Sequence, residues 1–426
     1  MSAVAGGERA AAPDRPSTYR DALRNPEFRG LVVAQVTSEW GDHIARVALA
    51  SLVLKRTDSA FLAVLAFAVS FVPAVFGSAL LGPLADRIPR KVILLGCDLA
   101  RALVMVLLAL LAVESTPVWV LLGLLLVTET FFAPFETAQR ALVPDVLTDP
   151  RQYLAGNSLM RLLYQADQVI GIALAGLVIL LVGERWSLLL NAGTFAASFV
   201  VIALTLRWRP AARDRREPRT TLLADVRAGW RLVFDDPALR ALVLLGWGAS
   251  VFLVAPEAVA LPYAREDGAS TTVGAMLMAS IPAGAAIGAY LVARLGPRQQ
   301  VRSILPLAVL SCLPLLGTCV APPWEVALVL WFVSGLGQGF MVPLIATVNL
   351  VSPARFRGRV NGLAAAGFST TTALTFLGTG ALADATSPSV AVTFAAVVGL
   401  ALVGAAHRAW PWGAIRRAAD RVYAAG

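Results

Sequence analysis

Apolar residues run along this chain in blocks of roughly 20, the helix length that crosses a ~30 Å hydrocarbon core, with polar punctuation between them. The pattern predicts helices near 31–54, 61–84, 92–113, 117–139, 153–182 and 186–206, then 240–262, 273–293, 301–321, 325–348, 361–382 and 389–407. The predicted fold is therefore an all-α integral membrane protein of twelve transmembrane helices. The longest polar stretch, 207–239, divides them six and six. The expected organisation is a cytoplasmic tail (1–30), a six-helix bundle (31–206), a cytoplasmic linker (207–239), a second six-helix bundle (240–407) and a cytoplasmic tail (408–426). The linker opens with Arg207, Arg209, Arg213, Arg215 and Arg216, broken by Pro210 and Pro218. Leu222, Val226, Trp230 and Val233 then recur at helical spacing with Arg227 and Arg231 between them, the pattern of an amphipathic helix on a membrane surface.

The halves echo each other. Asn157 and Gly176 lie 19 residues apart in segment 5, and Asn361 and Gly380 repeat that spacing in segment 11. Pro134 of segment 4 answers to Pro343 of segment 10, and the basic loop Arg87–Arg90 to Arg294–Arg298. A duplicated six-helix unit accounts for these matches together.

Composition fits this reading: 58% of the 426 residues are hydrophobic and 15% charged, more apolar surface than a soluble core of this size can hide. The net charge of +9 raises the question of nucleic acid, but its placement answers it. With the N-terminus inside, 29 of the 36 Lys and Arg fall in cytoplasmic stretches and four (Lys55, Arg56, Arg185, Arg265) outside. That asymmetry orients a multi-pass protein with both termini cytoplasmic. It points to anionic lipid as the partner of the basic charge, not nucleic acid. Residues 1–30 are polar and lack a cleavable leader, so segment 1 is expected to direct insertion. Cys97, Cys312 and Cys319 all fall in spans and the two histidines, His43 and His407, stand far apart, so neither a disulfide framework nor a metal site is expected. The only lysines, Lys55 and Lys91, follow Leu54 and Arg90, so there is no phosphate-binding loop and no cofactor is expected. The abundance of Arg over Lys and of Ala suggests a GC-rich bacterium and its plasma membrane.

Residues Gly82-Pro83-Leu84-Ala85-Asp86-Arg87-Ile88-Pro89-Arg90-Lys91, between segments 2 and 3, resemble the signature loop of the major facilitator superfamily, with Pro89 where a glycine is usual. The resemblance covers nearly the whole chain. Asn25-Pro26-Glu27-Phe28-Arg29 before segment 1, Gly41-Asp42 within it, and Arg357-Gly358-Arg359-Val360 before segment 11 are similar to the drug-exporter and enterobactin-exporter branch. Gly171-Ile172 departs from the Gly-Pro pair that antiporters of this kind often carry in segment 5. The resemblance implies two pseudo-symmetric bundles and a conformational latch. In it, Asp86, flanked by Gly82, Arg87, Arg90 and Lys91, caps the start of segment 11 near Arg359 and pairs with Arg140. It also implies a monomer, and a central cavity lined by segments 1, 4, 7 and 10.

Candidate chemistry gathers in segment 1. Glu39, Asp42, His43 and Arg46 fall at i, i+3, i+4 and i+7, on one helix face close to mid-bilayer. Charge there is costly unless it faces a cavity or a partner. Either Asp42 or Glu39 carries a transported proton, or Arg46 neutralises one of them in a static pair; two carboxylates facing one arginine leave one titratable. Glu129 is a second candidate carboxylate. Arg161, Gln165 and Gln168 share a face of segment 5 beside Asp167, and Glu257 and Gln338 can complete the cavity from the second half. Asp98 and Arg101 are spaced for a local pair, while Trp331, Phe132 and Phe340 offer an aromatic wall. Gly284, Gly288, Gly335, Gly337 and Gly339 allow close helix approach. The expected function is proton-coupled export of a small amphipathic molecule: a drug-like compound, natural product or siderophore. A facilitator or importer of a small nutrient is the second reading. A membrane-embedded enzyme or lipid scramblase is the third, and no cluster of nucleophile, base or metal ligands supports an enzyme.

Overall fold

The computed structural model of the chain describes residues 18–71, 88–210, 230–353 and 356–413. Among these it is all-helical, and the helices follow the predicted order. The first half holds α1 (Pro26–Thr57), α2 (described over Ala60–Phe71), α3 (Arg90–Leu111), α4 (Val118–Val146), α5 (150–182) and α6 (184–205). The second holds α7 (Pro237–Glu266), α8 (Thr271–Ala293), α9 (Pro297–Leu316), α10 (Trp324–Val351), α11 (Arg357–Ala385) and α12 (Pro388–Ala409). Eight helical elements among the described residues are apolar and long enough to cross a membrane, and one, Pro150–Thr205, has 56 residues, enough for α5 and α6 both. Gly183 turns the chain between these two at φ 79°, ψ 170°, a conformation open to glycine alone. Among the described residues all twelve predicted helices are present, α2 over the first part of its span.

Local chemistry sets the helix ends and breaks. The Asn25 side chain accepts the Glu27 and Phe28 amides at 3.0 and 3.4 Å, with Pro26 at the first helical position of α1. Asp236 does the same for the Ala238 and Leu239 amides ahead of Pro237 in α7, at 2.7 and 3.1 Å. This is the strongest N-terminal signal a sequence can carry. Pro134 and Pro343 each interrupt their helix just upstream, α4 at Phe131 and α10 in a 3₁₀ turn over Gln338–Phe340. A proline ring crowds the carbonyl four residues back and offers it no N–H.

Within the first half α1 packs along α5 and α6; within the second, α7 packs along α11 and α12, and α8 against α10. At α8–α10 the backbones themselves touch: a Cβ on Gly335 would lie 3.1 Å from the Gly284 Cα, and one on Gly339 only 2.6 Å from the Gly288 carbonyl carbon. The halves meet along α5–α8 and α2–α11. At the first contact, a Cβ on Gly176 would sit 2.6 Å from the Ala275 Cβ, and the Thr272 hydroxyl donates to the Gly176 carbonyl at 3.1 Å. At the second, Gly380 faces Phe61 and Val64, and Phe67 and Phe71 stack on Phe376. Polar contacts between the halves gather at the end where α1, α7 and α11 finish, opposite the linker. Ser59 Oγ and the Ala60 amide donate to Asp384 at 2.6 and 2.5 Å. Arg265 reaches the Leu54 carbonyl at 2.6 Å and Asp58 at 2.8 Å. At the linker end, the start of α11 (Asn361, Gly362) and Arg161 and Leu162 of α5 are exposed. Among the described residues, the polar clasp between the halves lies at the far end.

Candidate functional site

The α1 face carries Glu39, Asp42 and His43 buried and Arg46 half-buried, as its periodicity requires. Their partners come from other helices. Arg101 of α3, 1% exposed, donates to Asp42 at 2.5 Å and to Ser38 Oγ at 3.3 Å. Its guanidinium lies over the Phe195 ring of α6 at 3.9 Å, with Phe132 and Phe135 of α4 each at 5.9 Å. The local Asp98–Arg101 pair expected from spacing is not formed. A desolvated carboxylate on the facing helix attracts the guanidinium more strongly than a neighbour on its own helix that another donor can satisfy. One Asp98 oxygen accepts from Ser198 Oγ of α6 at 2.6 Å, and the other is buried with no partner. Arg46 likewise does not neutralise Asp42 directly; it lies 3.6 Å from Glu129 of α4, which also accepts from Ser70 of α2 at 2.8 Å. Removing one member of a buried ion pair strands the other charge, at about 3–5 kcal/mol.

Asp167 of α5 accepts the Trp40 indole N–H at 2.8 Å, and its other oxygen is buried with no partner. Among the described residues no hydrogen bond or ion pair engages the Glu39 carboxyl, although Asp42, Arg46, Arg101 and Asp167 stand within electrostatic reach of it. His43 packs its ring against Gly171, with Nε2 buried and unpartnered. Arg161 is exposed, and the Gln165 side chain lies outside the described residues.

From the second half, Glu257 of α7 is half-buried and within electrostatic reach of Arg46. Gln338 donates to the Leu253 carbonyl at 3.4 Å. The expected aromatic wall is instead core. Trp331 is fully buried against Tyr263, edge-on at 5.4 Å, and Phe340 is buried beside Phe252. A cavity of ≈ 910 Å³ between α7, α11 and α12 lies on the outer flank, lined by Leu244, Trp247, Leu374 and Phe394, away from the charged cluster.

Of the latch residues, Gly82, Asp86 and Arg87 fall outside the described residues. Arg140 pairs along its own helix with Glu136 at 2.5 Å, and Arg359 lies 5.8 Å from the Phe356 ring. Arg90 binds Asp145 and donates to the Ala141 carbonyl at 2.7 Å; Lys91 donates to the Ala203 and Leu206 carbonyls at 2.8 and 2.6 Å. These two motif residues thus tie down the C-terminal ends of α4 and α6, where helix carbonyls lack partners and the dipole favours cations. Sequence reasoning missed Ser38, Trp40, Ser70 and Phe195 as site neighbours and gave Arg101 the wrong partner. Arg101 alone carried a signal, as an arginine inside a span.

Five buried carboxyls, Glu39, Asp42, Asp98, Glu129 and Asp167, surround two arginines. Charge held in a low-dielectric interior is costly unless it faces a partner or a cavity. Among the described residues no three His, Cys, Asp or Glu side chains are grouped to hold a metal. An all-helical, twelve-span body with ionisable groups sealed between its helices has the architecture of a membrane transporter. The chain belongs to the Major Facilitator Superfamily, whose sequence profile matches residues 31–345 and 258–413. It is 27% identical over 343 residues to the multidrug efflux pump Tap of Mycolicibacterium fortuitum, covering 78% of this chain and 83% of that one. It is 26% identical over 345 residues to the enterobactin exporter EntS of Shigella boydii, covering 80% and 81%. The nucleoside transporter NupG superposes with a TM-score of 0.71 at 13% identity, covering 91% of this chain and 99% of that one, a likeness of fold.

Proposed function

We propose that this transporter exports small amphipathic molecules (a drug-like compound, a natural product or a siderophore) across a bacterial plasma membrane by alternating access, in exchange for protons. The observation that carries this reading is the surplus of buried carboxyls over arginines around α1, in a chain whose relatives include a multidrug efflux pump and an enterobactin exporter. In this reading the bundles 31–206 and 240–407 rock about their shared faces, with the linker end cytoplasmic, the basic loops on anionic lipid, and the protein working as a monomer. Glu39 and Glu129 line the proton path, Asp42 lies beside it in its pair with Arg101, and Glu257 and Gln338 meet it from the second half.

The test is efflux of ethidium from cells expressing the protein, with and without a protonophore. Efflux that the protonophore abolishes supports the reading. Protonophore-resistant efflux would remove proton exchange from it. No efflux of ethidium or of any amphipathic cation, natural product or siderophore supplied would remove the export assignment.

A further inference from the structure

The five carboxyls buried around the charged face of α1 are not equivalent, and their partners rank them. Asp42 is held at 2.5 Å by Arg101, and that guanidinium is itself enclosed by aromatic rings from α4 and α6. Glu129 has Arg46 at 3.6 Å and the Ser70 hydroxyl at 2.8 Å. Asp98 and Asp167 each accept one bond from a fixed neutral donor on another helix, Ser198 and Trp40. Glu39 alone of the five is engaged by no donor among the described residues. It sits one turn towards the linker from Asp42, on the same face of α1, and is 8% exposed against 4% for Asp42 and 0% for Asp98.

We infer that Arg101 is a positioning residue that holds Asp42 in a fixed pair between α1 and α3, and that Glu39 is the carboxyl that takes up and gives up the exchanged proton. The assignment rests on the proton-exchange reading above and names its site.

The physical reasoning runs through what each group loses on changing charge. Protonating Asp42 would break its bond to Arg101 and leave that cation buried, with no other anion bonded to it and its Nε unpartnered. Protonating Glu39 breaks no bond. From its own helix Asp42, His43 and Arg46 face Glu39; Arg101 faces it from α3, and Tyr164 and Asp167 from α5. Of the cations among them, Arg101 is bonded to Asp42, and Arg46 is ion-paired with Glu129 at 3.6 Å with its Nε otherwise unpartnered. When Glu39 is neutral, the cluster formed by it and the two pairs carries no net charge. When Glu39 is ionised, the cluster carries one unmatched negative charge, which a cationic substrate or a wetted cavity can compensate. That is the alternation an exchanger needs.

The experiment compares wild type with Glu39→Gln, Asp167→Asn and the paired neutral variant Arg101→Met/Asp42→Asn. The double variant is used because either half alone strands a buried charge and can fail to fold. In proteoliposomes with an imposed pH gradient, ethidium accumulation in Glu39→Gln should fall to that of empty vesicles while downhill ethidium movement persists. The double variant and Asp167→Asn should keep gradient-driven accumulation. Infrared titration of the same purified proteins needs no substrate: a carboxylic C=O band that appears and disappears with pH should be lost in Glu39→Gln and kept in the other two variants. Survival of that band in Glu39→Gln would overturn the assignment, as would loss of coupling in the double variant with downhill movement intact. If wild type moves no ethidium but the band follows Glu39, the export reading fails and the proton site stands.

Discussion

Glu27, at the linker-end mouth of α1, shows how one side chain can hold a segment in place. Arg209 grips both its oxygens at 2.6 and 3.1 Å, and the Arg207 amide donates to it at 3.1 Å, so the first residues after α6 are strapped to the start of α1. Burial pushes this carboxyl up, but the Arg209 guanidinium and the Arg207 N–H outweigh it and hold it below the usual glutamate range. A depressed folded value means the strap contributes fully above the ordinary pKa of about 4.3 and is lost as pH falls through the lower folded value. Glu27→Gln at neutral pH should therefore weaken it by about 1 kcal/mol, a factor of about five in opening. Hydrogen exchange at the Arg207 amide, corrected for intrinsic rate, reads this directly; unchanged protection in the variant would assign the strap to other contacts. The charged face of α1 was legible at this scale because helical spacing alone puts Glu39, Asp42, His43 and Arg46 together. The partners were not legible. Arg101 meets Asp42 across 59 positions of sequence, and nothing in a local window distinguishes that contact from the equally well spaced Asp98.

At the scale of helices, the close contact between α8 and α10 sets the sharpest demand on sequence. A Cβ on Gly284 would meet the backbone of Phe332, Gly335 and Leu336, atoms that cannot swing aside. Gly284→Val should therefore overpack this crossing by about 1–3 kcal/mol and lower the melting temperature in detergent. Gly404→Val, at a position with no atom within 4 Å, should leave it in place. Equal melting temperatures for the two would show that the helices separate without strain. Helix number and order were legible because apolar length is dictated by the bilayer. The ends were less so: α1 and α7 begin at Pro26 and Pro237, several residues before their apolar blocks, because Asn25 and Asp236 cap them outside the hydrocarbon. The breaks near Phe131 and Gln338 were implicit in Pro134 and Pro343. Those prolines, read as marks of duplication, are also its mechanical consequence.

For the whole molecule, the duplication seen in the sequence becomes the pair of faces along which the halves meet. Gly176 and Gly380, matched by position in segments 5 and 11, lie in the two cross-half contacts, one against α8 and the other against α2. Which end of the molecule is shut was not legible, because two packings of the same helices differ by only a few kcal/mol. The far-end clasp shows what tips that balance. The first amides of α2 lack partners within their own helix, and the Ala60 amide is satisfied by Asp384, a carboxylate from the other half, which also accepts from the α2 cap residue Ser59. Parting the halves here would leave the Ala60 amide without its acceptor, while Ser59 Oγ would still cap the Leu62 amide at 3.1 Å. A cap and its interaction with the helix dipole are worth about 1 kcal/mol, whereas the exposed Arg265–Asp58 pair contributes little by itself. Asp384→Ala should therefore move the population towards a far-end-open form, by roughly fivefold on that energy, and Asp58→Ala far less. Spin labels on Glu114→Cys and Val320→Cys, exposed positions at the far end of each half, would report the change as growth of a longer-distance population in Asp384→Ala. A distance distribution unchanged from wild type would mean that the glycine-lined contacts at Gly176 and Gly380 hold the far end shut without the clasp.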